Sequence, residues 1–556
     1  MSSVLLRARR LAPLLAIASA TSAAVAWNQQ APVHIAKDPT KRHIVVLGSG
    51  WGAVAFLRKL KPDDHTRVTV VSPRGVFLYT PLLPAASTGT VEARSIVEPI
   101  QTFLPEHARF VEAAATSIDP KTNRVTCVSE LDPSSPFTLE YDQLVVAVGS
   151  VANTFGTPGV AEHAHFLKTY DDVVGLRKLV HARWEQASLP TTSPEEQQRL
   201  LSFTICGGGP TGVELAAEIH DLFQRDLKKH YPHLASLATV RVIDCASQIL
   251  SMFDRKIASY ATSAFAKHGI ETRLKCRVTR VYADSVDVLD TATGKTTRLP
   301  SGTTMWCSGI GLHPFAASIA AHFPQQQTNK RAVVVDPYFR VQGSTNLFCL
   351  GDAAAVTYEK SVAHAKELFD HFDSKHEGSL SFEDMAALFE HASKTYPQFR
   401  EHVHLIQESR GTSKLSRPFV HGALHAIFEA ADADHNNRLD KDEFVALLAA
   451  MDAHLRSLPA TAQVAQQQGE YLAQLFNKKL EENPTSAAPF EWTNLGSMAF
   501  IGENEAVASM PGAGVVQGFA MGLLWRGFET MKQQSYRSLM AVASDQIRTA
   551  IFGRGL

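Results

Sequence analysis

At 556 residues the chain is longer than one ordinary core can use, so two or three domains are expected. Its formal net charge of -1, from 54 basic and 55 acidic residues, leaves no electrostatic footprint for a nucleic-acid partner. Cys127, Cys206, Cys245, Cys276, Cys307 and Cys349 are scattered without a CxxC or CxxxxC pair, which argues against a zinc site and a dithiol redox centre.

The opening residues contain Arg7, Arg9 and Arg10 and no acid before Asp38, and an alanine-rich apolar stretch runs from Leu11 to Trp27. Residues 1–40 read as a targeting leader or a retained anchor. The arginines and missing acids fit a mitochondrial presequence, while a secretory signal would use the same apolar stretch.

His43 to Leu47 is a β-branched run expected to form a buried parallel strand, and it leads into Gly48-Ser-Gly-Trp-Gly-Ala53 and an apolar helix. The same order returns at Phe203–Cys206, Gly207-Gly-Gly-Pro-Thr-Gly212 and Val213–Leu222. In a G-x-G-x-x-G/A turn the first glycine makes the turn, the second lets the backbone reach a pyrophosphate, and the third small residue packs helix on strand. Gly48, Gly50 and Ala53 fill these places in the first unit, with Gly52 beside them; Gly207, Gly209 and Gly212 fill them in the second. The fold class expected is α/β, with two Rossmann-like dinucleotide-binding domains.

An acidic residue at the end of the second strand of such a unit accepts ribose hydroxyls. Asp244 ends Val240–Asp244 and would repel a 2'-phosphate, favouring NADH over NADPH; Ser72 ends Val68–Ser72 and offers only a hydroxyl. Leu144 to Gly149 reads as a strand closing the first domain, and Asn346 to Cys349 delivers Gly351 and Asp352, a pair suited to a ribityl chain. Together these make FAD the first nucleotide.

With those motifs in place, the chain resembles the type II, or alternative, NADH dehydrogenases of mitochondria and bacteria. Phe77-Leu-Tyr-Thr-Pro-Leu-Leu-Pro84, containing Thr80 and Pro81, is similar to that family's flavin-side loop. Gly209-Pro-Thr-Gly-Val-Glu214 is similar to its NADH signature, and Leu458-Pro-Ala-Thr-Ala-Gln-Val-Ala-Gln-Gln467 to its quinone-site helix. The resemblance implies that Glu214 lies near nicotinamide and flavin, and that Gln463 and Gln467 face the quinone edge of the flavin; residues four apart do share a helical face. It also implies an FAD-dependent, non-proton-pumping NADH:ubiquinone oxidoreductase with a membrane-attached C-terminal segment.

An EF-hand loop needs oxygen ligands at fixed positions. Asp432, Asp434, Asn436, Arg438 through its carbonyl, Asp440 and Glu443 fill them, with Asn437 replacing the usual glycine. A second loop, from Asp373 to Asp384, has Lys375 at position 3 and a short Asp at position 12, and is expected to be a structural partner that binds calcium weakly or not at all. Family members with such an insert imply an external enzyme of the mitochondrial inner membrane, facing the intermembrane space.

The divisions expected are a FAD domain over 41–155, 326–360 and 451–505, an NADH domain over 156–325, an EF-hand insert over 361–450, and a membrane segment over 506–556. In that last segment an amphipathic helix carrying Leu524, Trp525, Phe528, Met531, Leu539 and Met540 suits a membrane interface, and the same pattern would serve a homodimer contact. Two rival readings are a sulfide:quinone oxidoreductase, which needs a reactive cysteine pair, and a calcium-dependent NADH-binding signalling protein.

Overall fold

The computed structural model describes residues 32–358, 360–373, 376–393, 396–399, 425–453, 458–510 and 514–555. The leader up to residue 31, and Lys375 of the second calcium loop, lie outside the described residues. Val33–Ile35 is a strand paired in parallel with Phe137–Leu139, so the end of segment 1–40 belongs to the folded body.

Two parallel sheets organise the chain. The first runs in the order Leu347–Cys349, Gln143–Val146, Arg42–Leu47, Thr66–Ser72, Arg109–Glu112. The apolar run Ile44–Leu47 occupies its centre and is buried on both faces, as the unbroken β-branched pattern requires. The second sheet runs Glu271–Arg273, Thr239–Ile243, Ser202–Cys206, Thr303–Trp306, again with the strand that precedes the glycine turn inside. Each is accompanied by a small sheet, formed by Ala114–Asp119, Arg124–Ser129 and Asp132–Glu140 in one case and by Cys276–Val281, Ser285–Asp290 and Thr296–Pro300 in the other. The chain crosses between the two halves at Ser150–Ala152 and returns at Ile310–Leu312, and these crossovers pair antiparallel.

The insert has its own core, built on Phe369, Leu388, Phe389, Phe428, Phe444 and Leu448. Its two calcium loops are joined by the short antiparallel pair Ser379–Leu380 and Leu439–Asp440. The last helix of the insert, Lys441–Ala453, ends in a clamp: Asp452 accepts the amides of Ser361 and Val362 and the Ser361 hydroxyl, at 2.8–3.1 Å, where the chain enters the insert.

The C-terminal segment differs from expectation. The division at 505/506 runs through a strand, because Glu505–Met510 is the middle member of an antiparallel sheet with Ser497–Gly502 and Gly514–Gly518. Two helices follow rather than one, Phe519–Met531 and Tyr536–Phe552, each interrupted or capped by polar residues of the Lys532–Ser535 turn. Leu524, Met531 and Met540 are exposed as amphipathicity predicts, but Trp525 points inward and stacks on Phe500 with centroids 5.3 Å apart.

Helices Trp51–Lys59 and Ala462–Asn477 cross in backbone contact. A Cβ on Gly469 would sit 2.3 Å from the Gly52 carbonyl oxygen. Neither backbone can yield without opening the FAD half. Gly469→Ala is therefore expected to cost about 1–3 kcal/mol through overpacking, read as a lower unfolding midpoint together with reduced flavin retention on purification.

Candidate functional site

Leu47 delivers the chain to Gly48, whose φ of +115° and whose absent Cβ, which would lie 2.3 Å from the Ala147 carbonyl oxygen, leave no room for any other residue. Gly50 caps the following helix and has open space around it, so the free amides of the first turn are accessible to a phosphate. Ala53 is fully buried, and Gly52 packs on the Leu350 side chain. Ser72 is buried and its hydroxyl lies 3.0 Å from that of Ser49, which in turn reaches the Arg74 and Val76 carbonyls. At this strand end the side chain braces the turn. Thr80 accepts the Trp51 indole N–H at 2.9 Å, fixing the flavin-side loop and Pro81 to the start of the helix.

Gly149, with φ +68°, ends the closing strand with open space about it. Asp352 accepts the Ser150 hydroxyl at 2.9 Å, and the Lys168 ammonium donates to the same hydroxyl at 2.8 Å. Burial lowers the Lys168 pKa, with Asp352 opposing. The Gly351 amide donates to Gln468 Oε1 at 2.7 Å, and Gln468 is buried. Lys168, Ser150 and Gln468 were not singled out by sequence. Only Gln468 carried a signal, since it lies three positions from Ala465 on the face that meets Gly351. Open glycines at the carboxyl ends of the strands, free helix amides and a carboxylate held for sugar hydroxyls fit an FAD.

The second turn repeats the logic. Gly207 has φ +120° and a Cβ there would lie 2.8 Å from the Cys307 carbonyl oxygen, Gly209 is open, and a Cβ on Gly212 would strike the Gly207 carbonyl oxygen at 2.0 Å. Asp244 reaches back to this turn: its Oδ2 accepts the Gly208 amide at 2.6 Å and its Oδ1 the Ala246 amide at 2.7 Å. A carboxylate fixed there fits ribose hydroxyls and disfavours a phosphate.

Glu214, on helix Pro210–Leu222, accepts the Phe500 amide at 3.2 Å. Burial, with the Glu529 and Glu218 carboxylates nearby, pushes its carboxyl well above the ordinary range, against the effect of the Phe500 amide. Gln463 and Gln467 do share one face of Ala462–Asn477, and both amides bind the same backbone segment. Gln467 exchanges hydrogen bonds with the Thr493 N–H and C=O, each at 2.9 Å, and Gln463 accepts the Leu495 N–H at 3.2 Å. The two glutamines thus hold 493–496 against the helix.

In the insert, carboxylate oxygens of Asp432, Asp434 and Glu443 come within 4.8 Å of one another. Asp432 accepts the amides of Asn436 and Asn437, and Asn437 takes the left-handed φ of +60° that replacing a glycine demands. Asn436 bonds Asp434, Asp440 caps helix Lys441–Ala453 by accepting the Glu443 amide, and Arg438 sends its guanidinium to Ser379 and Glu377 of the other loop. A hard, all-oxygen donor set fits calcium. In the second loop Asp384 and Ser381 form the same reciprocal cap that Glu443 and Asp440 form in the first, and Glu443 in addition accepts the Ala433 amide at the start of its own loop. Glu443→Gln is expected to abolish calcium-dependent change in tryptophan or calorimetric signal, whereas Asp384→Asn leaves it near wild type.

Comparison with known proteins places the chain. Residues 42–368 match the pyridine nucleotide-disulphide oxidoreductase family, 362–449 the EF-hand domain pair and 494–555 the NDH2 C-terminal domain. The external alternative NAD(P)H-ubiquinone oxidoreductase B1 of Solanum tuberosum is 36% identical over 93% of this chain and 90% of its own length. The chain belongs to that family. The external alternative NADH-ubiquinone oxidoreductase of Yarrowia lipolytica is 30% identical, with coverages of 93% and 81%. The structure of NDH2 from Plasmodium falciparum in complex with NADH superposes with a TM-score of 0.79 at 26% identity, covering 93% of this chain and 99% of that one. A sulfide:quinone oxidoreductase from Aquifex aeolicus shares the fold, at a TM-score of 0.57 and 17% identity.

The thiols of this chain do not support sulfide chemistry. All six cysteines are free, and burial pushes Cys127, Cys307 and Cys349 up to about 12, where thiolate is scarce. The NDH2 C-terminal domain is tied to the nucleotide half by Arg554. Its buried guanidinium lies 2.9 Å from Glu218 and 3.0 Å from Asp226, and 4.0 Å from Asp221. Burial pushes Asp221 up to about 6 despite Arg554. An acid whose folded pKa exceeds its unfolded value binds more protons when folded, so its contribution to stability is full below about pH 4 and falls as pH rises through about 6. Arg554→Ala should cost about 3–5 kcal/mol by leaving buried carboxylates without a counterion. Thermal unfolding across pH should show that loss growing from acid to neutral pH.

Proposed function

We propose that the chain is an FAD-dependent, non-proton-pumping NADH:ubiquinone oxidoreductase of the respiratory chain, attached to the mitochondrial inner membrane on its intermembrane-space side and responsive to calcium. FAD, when bound, supplies the two-electron chemistry between hydride donor and quinone. The residues supply position and environment. Gly50 and the amides after it would take one pyrophosphate, Gly209 and the turn anchored by Asp244 the other, and Asp352 the ribityl hydroxyls.

The observation that carries the reading is the convergence at Glu214. The NADH-domain helix, the C-terminal sheet through Phe500, and the flavin-side loop through Tyr79 and Glu529 meet there. Gln463 and Gln467, by holding 493–496, would shape the quinone edge of that space. The membrane reading is supported by the exposed Phe519, Leu524, Met531, Tyr536, Ile551 and Phe552 on the last two helices. Among the described residues no helix is long and apolar enough to cross a membrane, which suits helices lying in the interface.

Gln467→Ala tests the assignment. Stopped-flow mixing with NADH should show flavin reduction at the wild-type rate, while turnover with a short-chain ubiquinone falls roughly ten-fold or more. Equal loss in both half-reactions, or in neither, would remove Gln467 from the quinone side.

A further inference from the structure

Three elements meet at the carboxyl of Glu529. It projects from helix Phe519–Met531, is 7% exposed, and accepts the phenolic hydrogen of Tyr79 at 2.8 Å. Tyr79 is 2% exposed and its ring lies 5.2 Å from that of Trp51, the first residue of the helix after the FAD turn. Trp525, one turn before Glu529, stacks on Phe500, whose amide donates to Glu214. Glu529 is therefore linked to the flavin-side loop by a hydrogen bond and to the NADH-domain helix through packed neighbours.

Glu214 faces Glu529 as a second buried carboxyl, bonded to the Phe500 amide, and the other charged groups on the surrounding elements have their own partners. Glu218 has Arg554, Thr88 and Thr90. Glu98 has Ser535, Ser538 and Arg537, and Asp545 has Ser95 and Arg548. Glu505 has Tyr260, and Arg526 bonds Asn504. Lys532, the residue that caps the same helix, places its ammonium over the Phe528 ring. Among the described residues, then, Glu529 is a buried carboxyl bonded to a phenol and to no cation. An anion in that setting is strongly unfavourable, and the neutral acid is the form the site accommodates. Burial pushes it up to about 7, against the Tyr79 hydrogen bond and Lys532.

We propose that Glu529, acting through Tyr79, is the internal proton store for quinone reduction. The proposal rests on the quinone reductase reading above and adds the route of one proton. Reducing a quinone to a quinol adds two electrons and two protons; NADH releases two electrons and one hydrogen nucleus as hydride, so one further proton comes from solution. In the proposed step the Tyr79 hydroxyl, which donates to Glu529 at rest, rotates its proton toward the quinone and accepts from the protonated Glu529 instead; the Glu529 O–H bond then breaks as its proton passes to the Tyr79 oxygen, while the Tyr79 O–H bond breaks and its proton forms the new O–H bond on the quinone oxygen. Tyr79 ends neutral, Glu529 ends as a carboxylate, and a solvent proton restores the acid. Burial and the neighbouring Glu529 raise the Tyr79 pKa, so the two transfers are concerted and no tyrosinate forms.

The test uses full-length, flavin-loaded protein as wild type, Glu529→Gln and Tyr79→Phe. Stopped-flow reduction of the flavin by NADH is compared with steady-state reduction of a short-chain ubiquinone across the neutral pH range. The wild-type kcat for quinone should fall as pH rises through about 7, because the store is loaded only below its pKa. Glu529→Gln, neutral and of the same shape, should keep flavin content and the rate of flavin reduction, lose roughly 10²-fold in kcat for quinone, and lose that inflection. Its KM for quinone should move by less than about two-fold. Tyr79→Phe should give the same pattern. A Glu529→Gln enzyme with the wild-type kcat and pH profile overturns the proposal, as does equal loss in both half-reactions, which would make the residue merely structural. A wild-type protein whose flavin is reduced by NADH but never reoxidised by quinone overturns the underlying reading, and this role with it.

Discussion

Gly52 and Gly469 allow two helices to touch backbone to backbone, and the arrangement of the FAD half follows from that contact. One helix begins at the first dinucleotide turn and the other carries Gln463, Gln467 and Gln468. Because they cannot separate, Ala465 lies against Gly351 and Gln468 reaches the Gly351 amide, which sets the loop that presents Asp352. The same helix fixes 493–496 and hence the start of the C-terminal sheet. The first dinucleotide turn, the Asp352 loop and the start of the C-terminal sheet are thereby referred to one crossing.

Buried charge around the C-terminal domain is handled in two ways. Arg554 neutralises Glu218 and Asp226, so removing it would leave carboxylates stranded and loosen the domain from the NADH half. Among the described residues Glu529 and Glu214 have no such counterion, and burial pushes both toward the neutral acid. One arrangement holds the domains together; the other keeps exchangeable protons beside the space where the nucleotide helix and the flavin-side loop converge.

Much of this was legible in the sequence because backbone constraints leave strong marks. Gly48, Gly207 and Gly212 occupy positions where a Cβ has no place, so the pattern and the reason for it coincide. The calcium loop was legible for the same cause, down to the left-handed Asn437. Ser72 was less informative, because its hydroxyl turned inward to Ser49, a pairing no local pattern announces. The expected division at 505/506 falls inside strand Glu505–Met510 because the apolar, glycine-rich pattern of the segment that follows does not show strand partners, and Trp525 was read as surface because a helical stripe does not reveal which side a sheet will cover. Lys168, Arg554 and Glu529 depend on contacts between residues far apart in the chain, which periodicity does not carry.

The insert follows the Gly351-Asp352 loop and precedes helix Ala462–Asn477, with Asp452 clamping its entry. The most direct test of the account is steady-state oxidation of NADH by the purified, flavin-loaded protein with a short-chain ubiquinone as acceptor, in calcium and in chelator. Quinone-dependent turnover, faster with calcium, is the predicted result. Absence of quinone-dependent NADH oxidation under both conditions would contradict it.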